Sequence, residues 1–439
     1  MTNSVSRAEA ATKVRAILIC DARYSPVGWQ AILGARIAGH TLLARHLLSY
    51  RVAGVTQITV AGLLETAATG PLPDIPFDRV PAWTRTGVSE DASEAVIEHD
   101  ADLLVDPRLI RELAARGRSV VCVDRHAGQH AVGEKSPYHV GVPYGREDPP
   151  VETVETLDAD LTPIGIAMHA ASTSANLDVC RFYWHRVAGD ADAATATTKV
   201  LLATMKPTDG MYARTNRRVS LRISRPLLDT FVTPNMVTFV SLLLGLAAGG
   251  LFTVGTRFAM VSAAVLAWTS SMIDGVDGEL ARARFQSSDL GRKLDVFCAD
   301  LLYPVMLLGL GVGVARLTGE RWWGVVGVAA AAGACLTSLV ASRLKRRHRR
   351  MTGEDDFVRH FQSSLDRRTD PILVVLRHCQ VLATWAAWPY YMVLFAVLNL
   401  SDIFLALSCV GAQGWLLALY AAPQLRPQPS AVPASSQKT

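Results

Sequence analysis

From residue 236 onward the chain falls into uncharged runs at 236–254, 258–273, 301–315, 322–342, 379–401 and 403–422. Each approaches or exceeds the roughly 20 residues a helix needs to cross about 30 Å of hydrocarbon. A backbone in lipid must satisfy its own hydrogen bonds, so such runs fold as helices. The two shortest lie beside aspartates and read as spans whose cytoplasmic ends carry polar chemistry. Residues 236–422 are therefore expected to form an all-α six-helix transmembrane bundle. The connection after the second run holds Arg282, Arg284, Arg292 and Lys293; the one after the fourth holds Arg343, Lys345, Arg346, Arg347, Arg349 and Arg350. The opposite loops hold only Arg257, Arg316 and Arg321. Lys and Arg concentrate on the cytoplasmic side. The expectation is a multi-pass protein of the cytoplasmic (inner) membrane with both termini in the cytoplasm. A 50% hydrophobic and 19% charged composition excludes a disordered chain and fits a soluble two-domain protein poorly.

The first half has a different pattern. MTNSVSRAEAATKVR is too polar for a signal peptide. Val14 to Cys20 reads as a buried strand, and His40 to Ala53 as an amphipathic helix with Leu42, Leu43, Leu47 and Leu48 inward. Val55 to Ala61 reads as a strand, Pro107 to Arg116 as a helix opened by proline, and Ser119 to Asp124 as a further strand. This alternation predicts an α/β domain with a mostly parallel sheet. The seven cysteines show no CxxC spacing, which argues against a disulfide framework or a zinc site, and His126 and His130 read as solvated loop residues. The Pro/Ser/Gln-rich tail 423–439 is expected to be disordered.

Charged side chains at mid-helix cost about 2.5–3.5 kcal/mol on insertion scales, so intramembrane carboxylates face a cavity and usually a cation. Asp274 and Asp277 are three residues apart at the end of the second run, on one helical face. Gly291 and Asp295, four apart, open the third. Three converging carboxylates repel one another without a divalent metal, and all-oxygen ligands select Mg²⁺ or Mn²⁺. Gly275, Gly278, Ala281 and Gly291 would let a bulky ligand reach the backbone, while Arg282 and Arg284 would meet its negative charge. The combination reads as a diphosphate site.

Asp274-x2-Asp277-Gly278-x2-Ala281-Arg282-x8-Gly291-x3-Asp295 closely resembles the signature of the CDP-alcohol phosphotransferase family, and Thr233-Pro234-Asn235-Met236-Val237-Thr238 resembles the start of that family's first transmembrane helix. The resemblance covers about residues 201–422. It implies transfer of a substituted phosphoryl group from a CDP-alcohol to an acceptor hydroxyl with release of CMP. It also implies that Asp274, Asp277 and Asp295 bind metal, with Gly278, Ala281, Arg282 and Gly291 around the nucleotide diphosphate. The family's final aspartate, its base, lies four residues after the position of Asp295, where this chain has Ala299 followed by Asp300. At about 100° per residue, position 299 is some 40° from Asp295 around the helix and position 300 about 140°. Asp300 replaces the base only if a π-bulge or other register shift turns it inward.

Ile37 to Ala61 and Asp102 to Leu113 resemble parts of sugar-nucleotide-type nucleotidyltransferases, with Asp102 at the place of a metal-binding aspartate. The first loop, Asp21 to Gly28, lacks the Gly-rich phosphate cradle that family needs, and no lysine occurs between Lys13 and Lys135. A degenerate, nucleotidyltransferase-like (Rossmann-like) domain over residues 1–200 is expected. The basic, interfacial junction 201–235 is similar to that of bifunctional inositol-phosphate cytidylyltransferase/di-myo-inositol-phosphate-phosphate synthases. Lys206, Arg214, Arg217 and Arg218 there bind either a phosphorylated acceptor, such as inositol phosphate, or lipid headgroups.

The leading expectation is a metal-dependent CDP-alcohol phosphotransferase of phospholipid or inositol-phosphate metabolism, in contact with membrane lipids and without a nucleic-acid partner. Ala299 keeps a second reading open, a catalytically silent CDP-alcohol-binding protein that regulates or scaffolds. An ion transporter is disfavoured, because the acidic residues gather at one end of the bundle. Gly245, Gly249, Gly309 and Gly313 have small-xxx-small spacing for packing within the bundle, a homodimer seam being the other option.

Overall fold

The computed structural model describes residues 13–20, 26–62, 72–80, 94–116, 120–124, 153–154, 162–169, 175–178, 182–205, 211–352 and 387–421. They form two compact units: residues up to 208 with 225–231 and 282–285, and the remainder.

The N-terminal unit contains strands β1 (Lys13–Ile19), β2 (Arg36–Ile37), β3 (His40–Thr41), β4 (Gln57–Ala61), β5 (Asp78–Val80), β6 (Glu94–Asp100), β7 (Leu103–Val105), β8 (Val120–Asp124), β9 (Thr153–Val154), β10 (Thr162–His169), β11 (Ala175–Asp178) and β12 (Trp184–Arg186). Its helices are α1 (Pro26–Gly34), α2 (Leu42–Ala53), α3 (Pro107–Arg116) and α4 (Asp190–Ala203). The main sheet has the order β5-β4-β1-β6-β10-β8-β11-β9. The stretch β5-β4-β1-β6 is parallel, and β1 at its middle buries Ala16, Ile17 and Leu18 completely. Strand β10 runs antiparallel to both β6 and β8 and β9 antiparallel to β11, so the mostly parallel sheet carries two reversed strands.

Helix α2 starts later than its apolar pattern suggests, because His40 and Thr41 pair with Arg36 and Ile37 in a small hairpin. The Thr41 hydroxyl then caps the helix, accepting from the Ala44 N–H, and Gly54 ends it in the left-handed conformation. Leu42, Leu43 and Leu47 are buried, whereas Leu48 is only half-buried and Arg45, His46 and Tyr50 lie inside. The tyrosine and histidine groups are satisfied, whereas Arg45 donates through Nη1 to the Ala283 carbonyl at 2.9 Å and its buried Nε has no hydrogen-bond partner among the described residues. Tyr50 Oη donates to His99 Nδ1 at 2.7 Å, His99 Nε2–H donates to the Leu103 carbonyl at 2.8 Å, and His46 Nε2–H donates to the Ala101 carbonyl at 3.1 Å. Burial pushes the His99 pKa down to about 4 and lowers that of His46 well below its ordinary value.

The second unit contains α5 (Met211–Leu227, whose last turn sorts with the first unit), α6 (Pro234–Phe252), α7 (Arg257–Ala283), α8 (Asp289–Thr318), α9 (Trp322–Thr352), α10 (Trp388–Val397) and α11 (Ser401–Ala421). Thr233 caps α6, with Pro234 in its first turn, and Ser288 caps α8 through the Gly291 N–H. Among the described residues, α6, α7, α8 and α9 are long and apolar enough to cross a membrane. Four of the six expected spans thus meet that measure among the described residues, and α10 and α11, in the places of the other two, are described as shorter apolar helices. Residues 379–386 of the fifth expected span lie outside the described residues. The basic run at 345–350 is not a loop but the last turns of α9.

Glycine decides how α6 and α8 meet. A Cβ on Gly309 would collide with the Gly249 carbonyl oxygen, and one on Gly313 with the Phe252 carbonyl oxygen. The small-residue faces therefore serve packing between helices of one chain. Phe252, Leu310, Val314 and Met260 form the buried interior beside this seam.

Candidate active site

The polar end of α7 places Asp274, Asp277, Gly278 and Ala281 at i, i+3, i+4 and i+7, one stripe of an α-helix. Asp295 approaches from the second turn of α8, whose start is fixed by the Ser288 cap. One carboxylate oxygen from each of Asp274, Asp277 and Asp295 lies within 4.8 Å of the others. Asp277 is buried, Asp274 and Asp295 half-buried. The Thr238 hydroxyl of α6 donates to Asp277 Oδ2, while Ser241 donates to the Thr238 carbonyl at 2.9 Å and Ser270 to the Ser241 carbonyl at 2.7 Å. A chain of hydroxyls thus fixes one carboxylate against α6. An all-carboxylate donor set of this compactness suits a hard divalent cation, which relieves the mutual repulsion of the three anions.

A cavity of about 260 Å³ opens beside Asp274. Arg217, Asn216 and Ser270 contribute to its polar part, Leu302, Met306 and Met392 to its apolar part. Ala299 and Tyr303, one turn apart on α8, also line it. Helix α8 is regular α-helix across this stretch, without the π-turn or register shift that Asp300 requires. Asp300 accordingly stands outside both the carboxylate cluster and the cavity lining, which corrects the expectation of a replacement base.

The other expected site residues separate. Gly278, Ala281 and Gly291 are half-buried, and a Cβ on Gly291 would crowd Ser288 Oγ and Asn235 Oδ1 at 3.1 and 3.2 Å. Arg282 is committed elsewhere, its Nε donating to the Thr204 carbonyl at 2.9 Å. Arg284 is also engaged, its Nε donating to the Leu228 carbonyl at 2.9 Å. Arg217 lines the cavity, but its guanidinium donates to the Gly275 carbonyl at 2.7 Å and pairs with Glu279 at 3.0 Å. Arg218 is exposed, and Lys206 lies outside the described residues. Glu279, fully buried, also accepts from Ser220 Oγ and Ser224 Oγ at 2.5 Å each. Sequence reasoning missed Glu279 and Thr238. The available signal was a glutamate two residues after Asp277 in an otherwise apolar helix, with two serines four apart on the preceding basic one.

In the N-terminal unit, Asp100 ends β6, in register with Ile19 of β1, and Asp102 follows it. That is where the strand order reverses and where open α/β sheets usually bind ligands. Here Arg186 occupies it: NH1 meets Asp102 Oδ1 at 2.8 Å and NH2 meets Asp100 Oδ2 at 2.9 Å. Asp102 is thus half of an arginine clamp. Of the phosphate loop, Asp21 to Ser25 lie outside the described residues, as do His126 and His130.

Residues 231–412 match the model of a family described as CDP-alcohol phosphatidyltransferase. Curated relatives named "Bifunctional IPC transferase and DIPP synthase" are similar to parts of the chain. The protein of Thermococcus kodakarensis is 42% identical over 88 residues, 20% of this chain and 19% of that protein. That of Aquifex aeolicus is 34% identical over 120 residues, 27% of each. That of Archaeoglobus fulgidus is 27% identical over 232 residues, 52% of this chain and 44% of that protein. The chain thus covers less than half the length of each of these relatives. A crystal structure of Mycobacterium tuberculosis phosphatidylinositol phosphate synthase with CDP-DAG bound aligns at 20% identity and TM-score 0.33, over 51% of this chain and 99% of that one.

Proposed function

We propose, on the premise that residues 231–412 are a CDP-alcohol phosphatidyltransferase domain, that this protein transfers a substituted phosphoryl group from a CDP-alcohol to an acceptor hydroxyl and releases CMP. The observation that carries the reading is the convergence of Asp274, Asp277 and Asp295 at the polar ends of two membrane-length helices, beside a cavity. These three carboxylates would hold Mg²⁺ or Mn²⁺. A bound divalent ion would supply charge neutralisation for the diphosphate and the departing CMP oxygen. Thr238 fixes Asp277, and the Ser288 cap holds the first turn of α8 against which Gly291 leaves room for the donor. The cavity beside Asp274 orients the acceptor, its hydroxyl toward Asp274 and the rest along the α8 wall. Asp274, on α7 and the one carboxylate of the three that lines the cavity, would receive the acceptor's proton on its oxygen not engaged by the ion. A polyol phosphate such as inositol phosphate is the proposed acceptor, on the likeness to the bifunctional relatives.

A second reading has one specific observation in its favour. Ala299 is on the cavity wall where a general base is expected, and Asp300 is not. A protein of that kind binds CDP-alcohols but does not turn them over. For the N-terminal unit we propose a non-catalytic role, supported by the Arg186 clamp on Asp100 and Asp102.

The discriminating experiment is CMP release by purified protein with CDP-diacylglycerol or CDP-inositol and inositol phosphate, in Mg²⁺, Mn²⁺ or chelator. Metal-dependent release by the wild type supports transfer. Binding of the CDP-alcohol without release supports the silent reading, and neither binding nor release rejects both.

A further inference from the structure

Helix α5 carries five arginines and no acidic residue over Met211–Leu227. The structure divides them by face. Asn216, Ser220 and Ser224 are buried on the inner side, where Ser220, Ser224 and Arg217 grip Glu279, Arg217 also holds the Gly275 carbonyl, and Asn216 accepts from Tyr390 Oη. Arg218, Arg222 and Arg225 are exposed, as are Val219 and Ile223 at 39% and 38%. At about 100° per residue the three exposed arginines fall within an arc of about 60°, and Val219 and Ile223 adjoin it. The outer side of α5 is therefore a cationic strip beside an apolar one.

Its position fits that composition. The inner side seats on Gly275 and Glu279, just past the uncharged run 258–273 of a membrane-length helix, and α6 begins at Pro234, seven residues after α5 ends. A helix bound there lies at the depth of lipid headgroups, with short apolar side chains facing acyl chains and long arginine stems reaching phosphate.

We propose that the outer face of α5 binds anionic phospholipid headgroups through Arg218, Arg222 and Arg225, with Val219 and Ile223 inserted beside them. Charge complementarity selects this occupant over zwitterionic lipid, because each arginine near an anionic surface is favoured electrostatically. This also separates Arg217 from Arg218, neighbours in the chain that serve different surfaces. The inference concerns the membrane and holds whether or not CMP is released.

The test is hydrogen exchange of α5 amides in full-length protein reconstituted in nanodiscs of phosphatidylcholine alone or with phosphatidylglycerol. Exchange across 211–227 should slow about tenfold with the anionic lipid at low salt, and high salt should reverse the effect. A combined Arg218→Gln, Arg222→Gln, Arg225→Gln variant should lose the dependence, whereas Arg343→Gln with Lys345→Gln, on α9, should keep it. Equal exchange in both lipids overturns the proposal, as does an undiminished lipid effect in the triple variant. The salt arm uses wild-type protein, so the result stands even if the triple variant misfolds.

Discussion

Glu279 has no solvent exposure, yet Ser220, Ser224 and Arg217 all reach it. Breaking a buried ion pair by removing one partner costs about 3–5 kcal/mol, because the other charge is stranded. Glu279→Ala should therefore lower the unfolding temperature of the membrane unit sharply, while Ser224→Ala should cost about 1 kcal/mol; thermal unfolding in detergent measures both. Asp300→Asn should leave CMP release unchanged, since Asp300 is off the cavity wall. Ala299→Asp should raise release by about 100-fold, as a positioned base does. The carboxylates were legible from their spacing, because three- and four-residue intervals put side chains on one helical face wherever that helix packs. Glu279 and Thr238 were not, because their partners lie 39 to 62 residues away and meet them only after α5, α6 and α7 pack. For Asp300 the sequence supplied only a condition, a register shift in α8, and without that shift about 100° of helical rotation leaves Ala299 on the wall instead.

Elements with one dominant period were readable, and those set by tertiary pairing were not. Helix α3 has the bounds its proline and periodicity predict, and β4 differs from expectation only at its start. The beginning of α2 was lost to a hairpin, and β10 reversed the sense of pairing that strand–helix alternation implies. Glycine spacing did carry meaning: Gly309→Val should force α6 and α8 apart and lower the detergent unfolding temperature, because the added carbons would enter the Gly249 carbonyl. The buried network of Tyr50, His99 and His46 gives the N-terminal unit a pH signature. Both histidines have folded pKa values below the unfolded value of 6.5, so the unfolded chain gains protons first as pH falls. Their contribution to stability is complete above about pH 6.5 and is lost between there and about pH 4. The protection factors of β6 amides, taken relative to intrinsic exchange at each pH, should fall over that window, and His99→Gln should weaken the dependence.

At the scale of the whole molecule, two different chemistries share one chain. The N-terminal crevice is closed by an arginine between two carboxylates, and the membrane unit gathers three carboxylates, of which Thr238 fixes Asp277 against α6. Division into an α/β part and a helical membrane part was visible in the switch from alternating short runs to long uncharged ones.

The claim on which the functional reading depends is that Asp274, Asp277 and Asp295 together hold a divalent ion that carries the CDP-alcohol diphosphate. Electron paramagnetic resonance of Mn²⁺ bound to the purified protein tests it directly. Wild-type protein should bind Mn²⁺ more tightly when a CDP-alcohol is present, and Asp277→Asn should weaken that binding by about 100-fold. Equal Mn²⁺ binding by wild type and Asp277→Asn, or binding indifferent to the CDP-alcohol, would contradict the account.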